Sequence, residues 1–480
     1  MSIKMYMHIN GAEVPSASAK WRDVVNPATG EVIGTIPDGI SEDVSAAVDS
    51  AELAFPGWSE KTMRERGVLL FRAATIVREE HKRLARLLTM EQGKPLREAT
   101  DEVRGFCNVL EFYAGLSSQP AGDAVRLGSQ GDCMVIHEPL GVCGAIIPWN
   151  MPALIMGWKV APALLAGNTM VVKPSSTAPL TVLSLAKIIE EAGIPPGVLN
   201  IVSGSGGSAG EAIITHPSIQ KVSFTGSCAT GCHIRELAGS CNKDLVLELG
   251  GSDPMIVMND ADVQKAVEGA LRGRFYNAGQ VCTAVKRLFV HQDIAESFVH
   301  LLKVRVESLH VGNGLDPQVE MGPLNNRQQY DTMSGIMNSV KENGEGTILT
   351  GGIPLKGEEY DNGYFFQPTL VGDVADDSTL LTGEIFGPVL PIVVFPDLDT
   401  AISQVNGSPY GLGASVWTRD LATVKRVFQD VHAGIIWVNR HLSVPPEIPF
   451  GGMKDSGVGR ENGYRAIDGY TRTKTLFLGW

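Results

Sequence analysis

Residues 141–176 read GVCGAIIPWNMPALIMGWKVAPALLAGNTMVVKPSS. The first seven form a continuous apolar run of strand length, closed by a turn at PWN. Residues 154–167, LIMGWKVAPALLAG, have helical length and pattern, and NTMVVKP (168–174) returns to a β-branched run. A strand without polar alternation is buried on both faces, as in a parallel sheet covered by helices. The alternation continues outward. VLNIVSG (198–204) and KVSFTG (221–226) read as buried strands, with PLTVLSLAKIIEEAG (179–193) and SAGEAIITHP (208–217) as the helices around them. The pattern predicts an α/β fold on a doubly wound, Rossmann-like open sheet. Such a sheet binds ligands at the carboxyl ends of its strands, here the turns PWN, KPSS, SGSGG and FTGS.

A second alternating block follows ELGGSDPMIV (248–257) and runs to about residue 437. It contains the helix ADVQKAVEGALRGRFYNA (261–278) and the strands FQPTLV (366–371), PVLPIVVF (388–395) and GIIWVN (434–439). Residues 40–118 read as helices, the first opened by Ser41 as N-cap. AVRLGSQGDCMVIHEP (124–139) has the pattern of a hairpin and TRTKTLFLGW (471–480) that of a terminal strand. Exposed strands want partners, and a subunit interface supplies one.

Composition narrows the class. The chain has 480 residues, 44% of them hydrophobic, enough for sizeable cores and about three domains or lobes. Forty Lys and Arg face 53 Asp and Glu, a formal charge of -13, which argues against unaided phosphate-backbone binding and so against a nucleic-acid partner. The 54 glycines are dispersed through apolar sequence, which suggests tight turns rather than disorder. Seven cysteines (107, 133, 143, 228, 232, 241 and 282) without a CxxC pair fit free thiols in a reducing compartment, and with no secretory signal at the start the expectation is cytoplasmic. The apolar stretch Met151–Val172 is interrupted by Pro152, Lys159, Pro162 and Asn168, so a helix followed by a strand is expected there rather than a membrane span.

Several short motifs carry chemistry. FTGSCATG (224–231) places Gly226 and Ser227 between a strand and a helix, where helical N–H groups can hold a phosphate; it departs from GxGxxG and reads equally as a plain glycine-rich turn, as does SGSGGSAG (203–210). VVKPSS (171–176) puts Lys173 and Ser176 at a strand tip, facing either ribose hydroxyls, a phosphate or solvent. NAGQVCTAVKR (277–287) presents Cys282 after a glycine break, a nucleophile if a helix end or cation stabilises its thiolate and otherwise an inert core cysteine. LELGG (247–251) ends an apolar strand on Glu248, which desolvation would make a stronger base. Asn150 in PWN can donate its amide to an oxyanion or simply shape a turn. Cys228, Cys232 and His233 are close in sequence but lack a fourth ligand, so no metal is expected.

Taken in order, PWNMP (148–152), KPSS (173–176), FTGS (224–227), LELGG (247–251), GQVC (279–282), EIFGP (384–388) and PFGGMKDSGVGRE (449–461) resemble the aldehyde dehydrogenase superfamily from end to end. The resemblance implies a cofactor domain (1–123, 140–248 and 438–460), a catalytic domain (249–437) and an oligomerisation element (124–139 and 461–480), in a homodimer or homotetramer. It implies that the Cys282 thiolate attacks an aldehyde and that the Asn150 amide and the Cys282 N–H hold the oxyanion. Hydride passes to NAD or NADP, and Glu248 activates water to hydrolyse the thioester. Lys159 and Glu461 match positions that relay the proton. Ile147, Pro148, Trp149, Gly226 and Leu249 fall at the cofactor turns; Gly206, Gly210 and Ser227 fall where the dinucleotide passes; Glu384 and Phe386 match residues at the nicotinamide ribose and ring.

Two departures bear on specificity. Many NAD-using relatives carry a glutamate where this chain has Ser176; a serine beside Lys173 removes the repulsion of a 2′-phosphate, so NADP is expected to be accepted and even preferred. Relatives acting on succinic semialdehyde or lactaldehyde often carry arginine where this chain has Trp158. Trp158 with Ile155, Val444 and Phe450, and Val281 and Thr283 beside the nucleophile, implies a largely apolar funnel for aliphatic or aromatic aldehydes. Arg440 and His441, before PFGG, keep a semialdehyde or hydroxyaldehyde open. A CoA-acylating enzyme would not need Glu248, and a non-catalytic homologue would need none of Cys282, Glu248 and Asn150 together.

Overall fold

The computed structural model describes residues 3–119 and 122–479; Met1, Ser2, Pro120, Ala121 and Trp480, which fall inside the expected spans, lie outside the described residues. The 141–176 stretch folds as the strand Val142–Ile146, the helix Pro152–Ala166 and the strand Thr169–Lys173. The helix carries apolar residues on every side, with Lys159 among them, and is almost wholly buried, as expected of a helix in the core of a large protein. Pro152 sits at its start, where the missing N–H costs nothing, and Gly167 ends it at φ 100. Its 15 residues span about 22 Å, short of the ~30 Å of a bilayer core. Among the described residues no helix is long and apolar enough to cross a membrane.

Val142–Ile146 lies at the centre of an eight-stranded sheet. The sheet runs Gly457–Val458, Asp244–Glu248, Ile219–Thr225, Val142–Ile146, Thr169–Lys173, Leu199–Ile201, Met7–Ile9 and Ala12–Val14. The five strands from Asp244–Glu248 to Leu199–Ile201 are parallel, and the flanking ones are antiparallel. From Val142–Ile146 the chain moves outward one way through Thr169–Lys173 and Leu199–Ile201. It then crosses back to add Ile219–Thr225 and Asp244–Glu248 on the other side. The reversal opens a crevice between the turns that follow Ile146 and Thr225, the place where open α/β sheets bind ligands.

The second sheet has seven strands, in the order Thr347–Thr350, Thr369–Gly372, Val389–Phe395, Val285–His291, Asp253–Val257, Gly413–Trp417 and Ile435–Val438. All are parallel except the first. Gly122–Arg126, Asp132–Pro139 and Thr471–Leu478 form a separate antiparallel sheet, the terminal strand pairing with eight residues of its neighbour.

Some expectations shift. KVSFTG begins earlier, at Ile219, and VLNIVSG shortens to Leu199–Ile201. SAGEAIITHP is a wide turn over Gly206–Gly210 and only five helical residues, Glu211–Thr215; glycines loosen its start and Pro217 disfavours helix at His216. The N-terminal strands went unassigned from sequence. Asn10 and Gly11, both at positive φ, form the two-residue turn of the hairpin Met7–Ile9/Ala12–Val14.

Ser41 is not the N-cap of its helix. It is the first helical residue, and Ile40 precedes it without a side-chain cap. The buried carboxylate of Asp43 closes this helix end instead, accepting from Ile40 N (2.9 Å), Ala17 N (2.9 Å) and Ser16 Oγ (2.6 Å). Asp43→Ala should therefore cost about 2 kcal/mol by orphaning the main-chain N–H groups of Ala17 and Ile40, whereas Ser41→Ala should cost less than about 0.5 kcal/mol. Chemical denaturation of the two variants beside the parent checks the order.

Candidate active site

The turn after Val142–Ile146 brings Pro148, Trp149 and Asn150 to the crevice, and the turn after Ile219–Thr225 brings Gly226 and Ser227. Ser227 caps the helix Cys228–Gly239 by accepting from Thr230 N at 3.3 Å. With Leu249, Glu384 and Phe386 these residues line a cavity of about 340 Å³. Glu384 is held by Gly251 N and by Lys286 Nζ, both at 3.2 Å. A Cβ on Gly250 would stand 2.2 Å from the Glu384 carboxylate, so any side chain there would displace that carboxylate. Phe386 packs edge-on against Trp149 with ring centroids 5.5 Å apart.

Ile147, Lys173, Ser176, Gly206 and Gly210 are not on this wall. Ile147 is buried beneath the turn. Lys173 Nζ donates to Pro174 O (2.7 Å) and Gly204 O (3.3 Å), and Ser176 Oγ donates to the same Gly204 O at 3.0 Å. Gly210 packs against the Lys173 side chain, and Gly206 lies in the wide turn beyond. These residues therefore form a separate group at the tips of the strands on the other side of the crevice. Burial first, and then nearby Arg22, push the Lys173 ammonium down to about 8.

A second cavity of about 490 Å³ is lined by Ile155, Trp158, Val281, Thr283, Val444 and Phe450, the six residues expected in the funnel. Trp158 and Phe450 stack at 4.8 Å with their planes tilted by 44°. The outer part is more polar than sequence suggested, carrying Asp101, Asn108, Arg272 and Tyr276. Arg440 is exposed and off this wall. His441 does not meet a ligand either: Nε2 donates to Thr283 O (2.8 Å) and Nδ1 accepts from Ser415 Oγ (2.9 Å). Burial takes its pKa down to about 4, so it is neutral at ordinary pH.

Cys282 is the one residue common to both cavity walls. Its thiol is pushed up to about 12, first by burial; Lys286 pulls the other way, while Asp253, Glu248 and Glu384 add to the rise. Lys286 Nζ also donates to the Cys282 carbonyl at 2.6 Å. The Asn150 amide donates to Gln280 O at 3.0 Å. Among the described residues its second N–H and the Cys282 backbone N–H have no acceptor.

Glu248 is buried off both walls, with no hydrogen-bond partner on either oxygen. Burial, then Glu461, raise its pKa well above the carboxylate range, while Lys159 and Arg460 oppose the rise. Gly451 leaves its space: a Cβ there would lie 2.8 Å from Glu248 Oε1. Lys159 pairs with Glu461 in the core, and Ser223 Oγ accepts from Lys159 and donates to Glu461. Among the described residues no group of three or more His, Cys, Asp or Glu comes together to hold a metal.

Sequence reasoning overlooked Lys286 and Arg272, and a buried polar frame of Lys94, Glu98, Glu102, Asn277 and Gln280. The last two stand within the NAGQVC motif, but only tertiary contact reveals what they hold.

Residues 14–476 match the model of the aldehyde dehydrogenase family. Solved structures agree with this along the whole chain. An NADP-dependent enzyme from Escherichia coli is 37% identical, with TM-score 0.96, over 100% of this chain and 98% of that one. A betaine aldehyde dehydrogenase from Staphylococcus aureus, in complex with NAD+, is 35% identical with TM-score 0.96 over 99% and 94%. A mutant aldehyde dehydrogenase from Bacillus cereus is 38% identical with TM-score 0.96 over 99% and 96%.

The raised Cys282 pKa gives a testable reactivity. At pH 7–8 less of this thiol is ionised than in a free cysteine, so its alkylation by iodoacetamide should be slow and should still be climbing at pH 9.5. Lys286→Met removes the group that lowers the pKa and should slow the reaction further at every pH. Mass spectrometry of the Cys282 peptide, separate from those of exposed Cys232 and Cys241, reads the rate.

Proposed function

The chain belongs to the aldehyde dehydrogenase family, and on that premise we propose that it oxidises an uncharged, largely apolar aldehyde to its acid through Cys282. That it is an NAD(P)-dependent enzyme acting on an aldehyde follows from the family; the residues, steps and substrate class are the reading argued here. The observation that carries it is the meeting of two cavities at Cys282, one at the sheet crevice and one apolar. NAD(P) fits the first. Peptide N–H groups of the Ser227-capped helix and the Glu384 carboxylate offer polar contacts there, and Trp149 and Phe386 offer aromatic faces. When bound, the dinucleotide takes up the two electrons and the hydrogen that leave the substrate carbon.

The protein's own work begins with a proton. Cys282 rests as a thiol and must give up its proton to water in the crevice before its sulfur adds to the carbonyl carbon. The new oxyanion then has two unspent donors, the second Asn150 N–H and the Cys282 N–H, arranged before reaction and shielded from water. A single donor of that kind contributes about 3–4 kcal/mol to the transition state. After oxidation a thioester joins substrate and Cys282. Water adds to it as Glu248, once ionised, takes a proton, and the acid departs as the C–S bond breaks and the sulfur regains its charge. The proton on Glu248 then has the buried Lys159–Glu461 pair, bridged by Ser223, as its way out. Residues 1–123, 140–248 and 438–460 serve as the cofactor domain and 249–437 as the catalytic domain. The three-stranded sheet of 122–139 and 471–478, with Leu476 and Phe477 exposed, serves as the contact between subunits in a homo-oligomer.

A second reading of the substrate rests on Arg272 and Trp158. Arg272 is exposed at the funnel mouth with no ion-pair partner among the described residues, and the Trp158 N–H is buried without an acceptor. Both would suit a semialdehyde or hydroxyaldehyde. The inner wall of Ile155, Trp158, Val281, Val444 and Phe450 favours the apolar substrate.

A steady-state panel of benzaldehyde, hexanal, lactaldehyde, glyceraldehyde and succinic semialdehyde separates the two, with Cys282→Ala as the inactive blank. The apolar aldehydes should lead in kcat/KM by about tenfold or more, equivalent to ~1.4 kcal/mol; a lead by succinic semialdehyde would transfer the assignment to Arg272. Cofactor choice is tested in the same assay. With Ser176 and Lys173 sharing the Gly204 carbonyl and no acidic side chain at 173–176, kcat/KM with NADP should equal or exceed that with NAD. Ser176→Glu should lower the NADP value alone, by about tenfold or more, through like-charge repulsion. A parent enzyme more than tenfold better with NAD would end the NADP preference.

A further inference from the structure

Lys94 is a lysine with a fully buried side chain. Taking an ammonium out of water costs several kcal/mol unless paired and hydrogen-bonded, so what it touches matters. Its Nζ meets Glu102 Oε2 at 2.5 Å, the main-chain carbonyl of Asn150 at 2.7 Å and Met151 Sδ at 3.2 Å. The other oxygen of Glu102 accepts from Ala153 N (2.8 Å) and Leu154 N (3.3 Å), the first N–H groups of the helix Pro152–Ala166. The ion pair therefore grips residues 150–154 by a carbonyl on one side and two N–H groups on the other.

The same carbonyl has a second donor. Asn277 Nδ2 lies 3.1 Å from Asn150 O and 3.3 Å from Gln280 O, so it bridges the Asn150 turn to the loop that ends in Cys282. Asn277 and Ala278 adopt left-handed backbone at φ 50 and 52, a conformation that costs of order 1 kcal/mol or more for each non-glycine residue and persists only where its surroundings enforce it. Enforcement comes from Glu98, whose Oε2 accepts from Asn277 N at 2.8 Å. Glu98 and Glu102 stand one turn apart on the helix Leu96–Leu116. One helix thus holds the turn carrying Asn150 with one carboxylate and the loop carrying Cys282 with the other.

We propose that the Lys94–Glu102 pair is a positioning device for the Asn150 amide, setting through the backbone of residues 150–154 where that amide meets the oxyanion formed at Cys282. The inference rests on the oxyanion role of Asn150 given above. Lys94 and Glu102 touch no reacting atom. Glu102 reaches the funnel wall, yet both its oxygens are engaged by Lys94, Ala153 and Leu154, which leaves it no role as a binding site for a cationic aldehyde. A misplaced donor loses its effect on the rate while the cavities for aldehyde and dinucleotide remain, so the damage falls on kcat.

The test is a double-mutant cycle on single-turnover NAD(P)H formation, with kcat and both KM values, for Asn150→Ala, Lys94→Met and the double variant. Glu102→Gln, which keeps an acceptor for Ala153, runs in the same cycle should Lys94→Met fold poorly, and thermal melts establish that each variant is folded. Asn150→Ala should slow the chemical step by about 100-fold or more. Lys94→Met and Glu102→Gln should each slow it by at least about tenfold with KM changed less than about twofold, and neither should slow the Asn150→Ala enzyme further, because the positioned group is already gone. Multiplying losses beside an impaired Asn150→Ala would overturn the positioning role and leave the oxyanion role standing. An unimpaired Asn150→Ala would overturn both.

Discussion

The main-chain carbonyl of Asn150 accepts from a buried ammonium and a buried amide, and the placement of the site depends on that junction. Lys94 approaches it from the start of the helix Leu96–Leu116, and Asn277 from the loop before the second sheet. Asn150 and Cys282 belong to different sheets, the first following Val142–Ile146 and the second preceding Val285–His291. Each sheet is rigid, but rigidity within a sheet does not fix the distance between them. Hydrogen bonds to charged groups in a low-dielectric interior are short and hard to exchange, which makes them suitable as cross-braces.

The geometry also separates two tasks that share one atom. The apolar cavity suits the proposed aldehyde, the crevice suits the dinucleotide, and Cys282 lies where the two walls meet. Burial that keeps water away also raises the Cys282 pKa and that of Glu248. Burial thus favours the neutral form of both the thiol and the carboxyl. Each must be ionised when its step requires it. Lys286 and the Lys159–Glu461 pair are the nearby charges that bias those protonation states. Strain adds a further constraint in the left-handed residues Asn277 and Ala278, which a carboxylate on another helix enforces.

The parallel sheets were legible because a doubly buried strand lacks polar alternation: 141–147 is an unbroken apolar run, and 168–174 and 221–226 are short apolar and β-branched stretches alternating with helical ones. The hairpin 124–139 and the terminal strand were legible from their own patterning. Where local signals conflicted or were slight, the reading slipped. Ser41 has the chemistry of an N-cap but lost that role to Asp43, whose carboxylate satisfies Ile40 N beside it and two donors from the distant segment Ser16–Ala17. The hairpin at Asn10–Gly11 carried a usable turn signal in the pair itself. His441 and Arg440 looked available to a substrate because sequence shows charge and not direction; one is spent on Thr283 and Ser415, and the other faces solvent.

Sequence by itself determined the fold class, the positions of the seven motifs, and the presence of Cys282, Asn150 and Glu248 within them, since these are properties of local composition and short spacing. The tertiary structure decided how they are joined. Lys94 and Asn150 are far apart in sequence and share one hydrogen bond; Glu98 restrains a loop on another sheet; Arg272 arrives at the mouth of the funnel. None of these leaves a periodic trace in the chain, because a buried polar contact depends on two surfaces meeting, and one residue type at one position carries no information about what will face it.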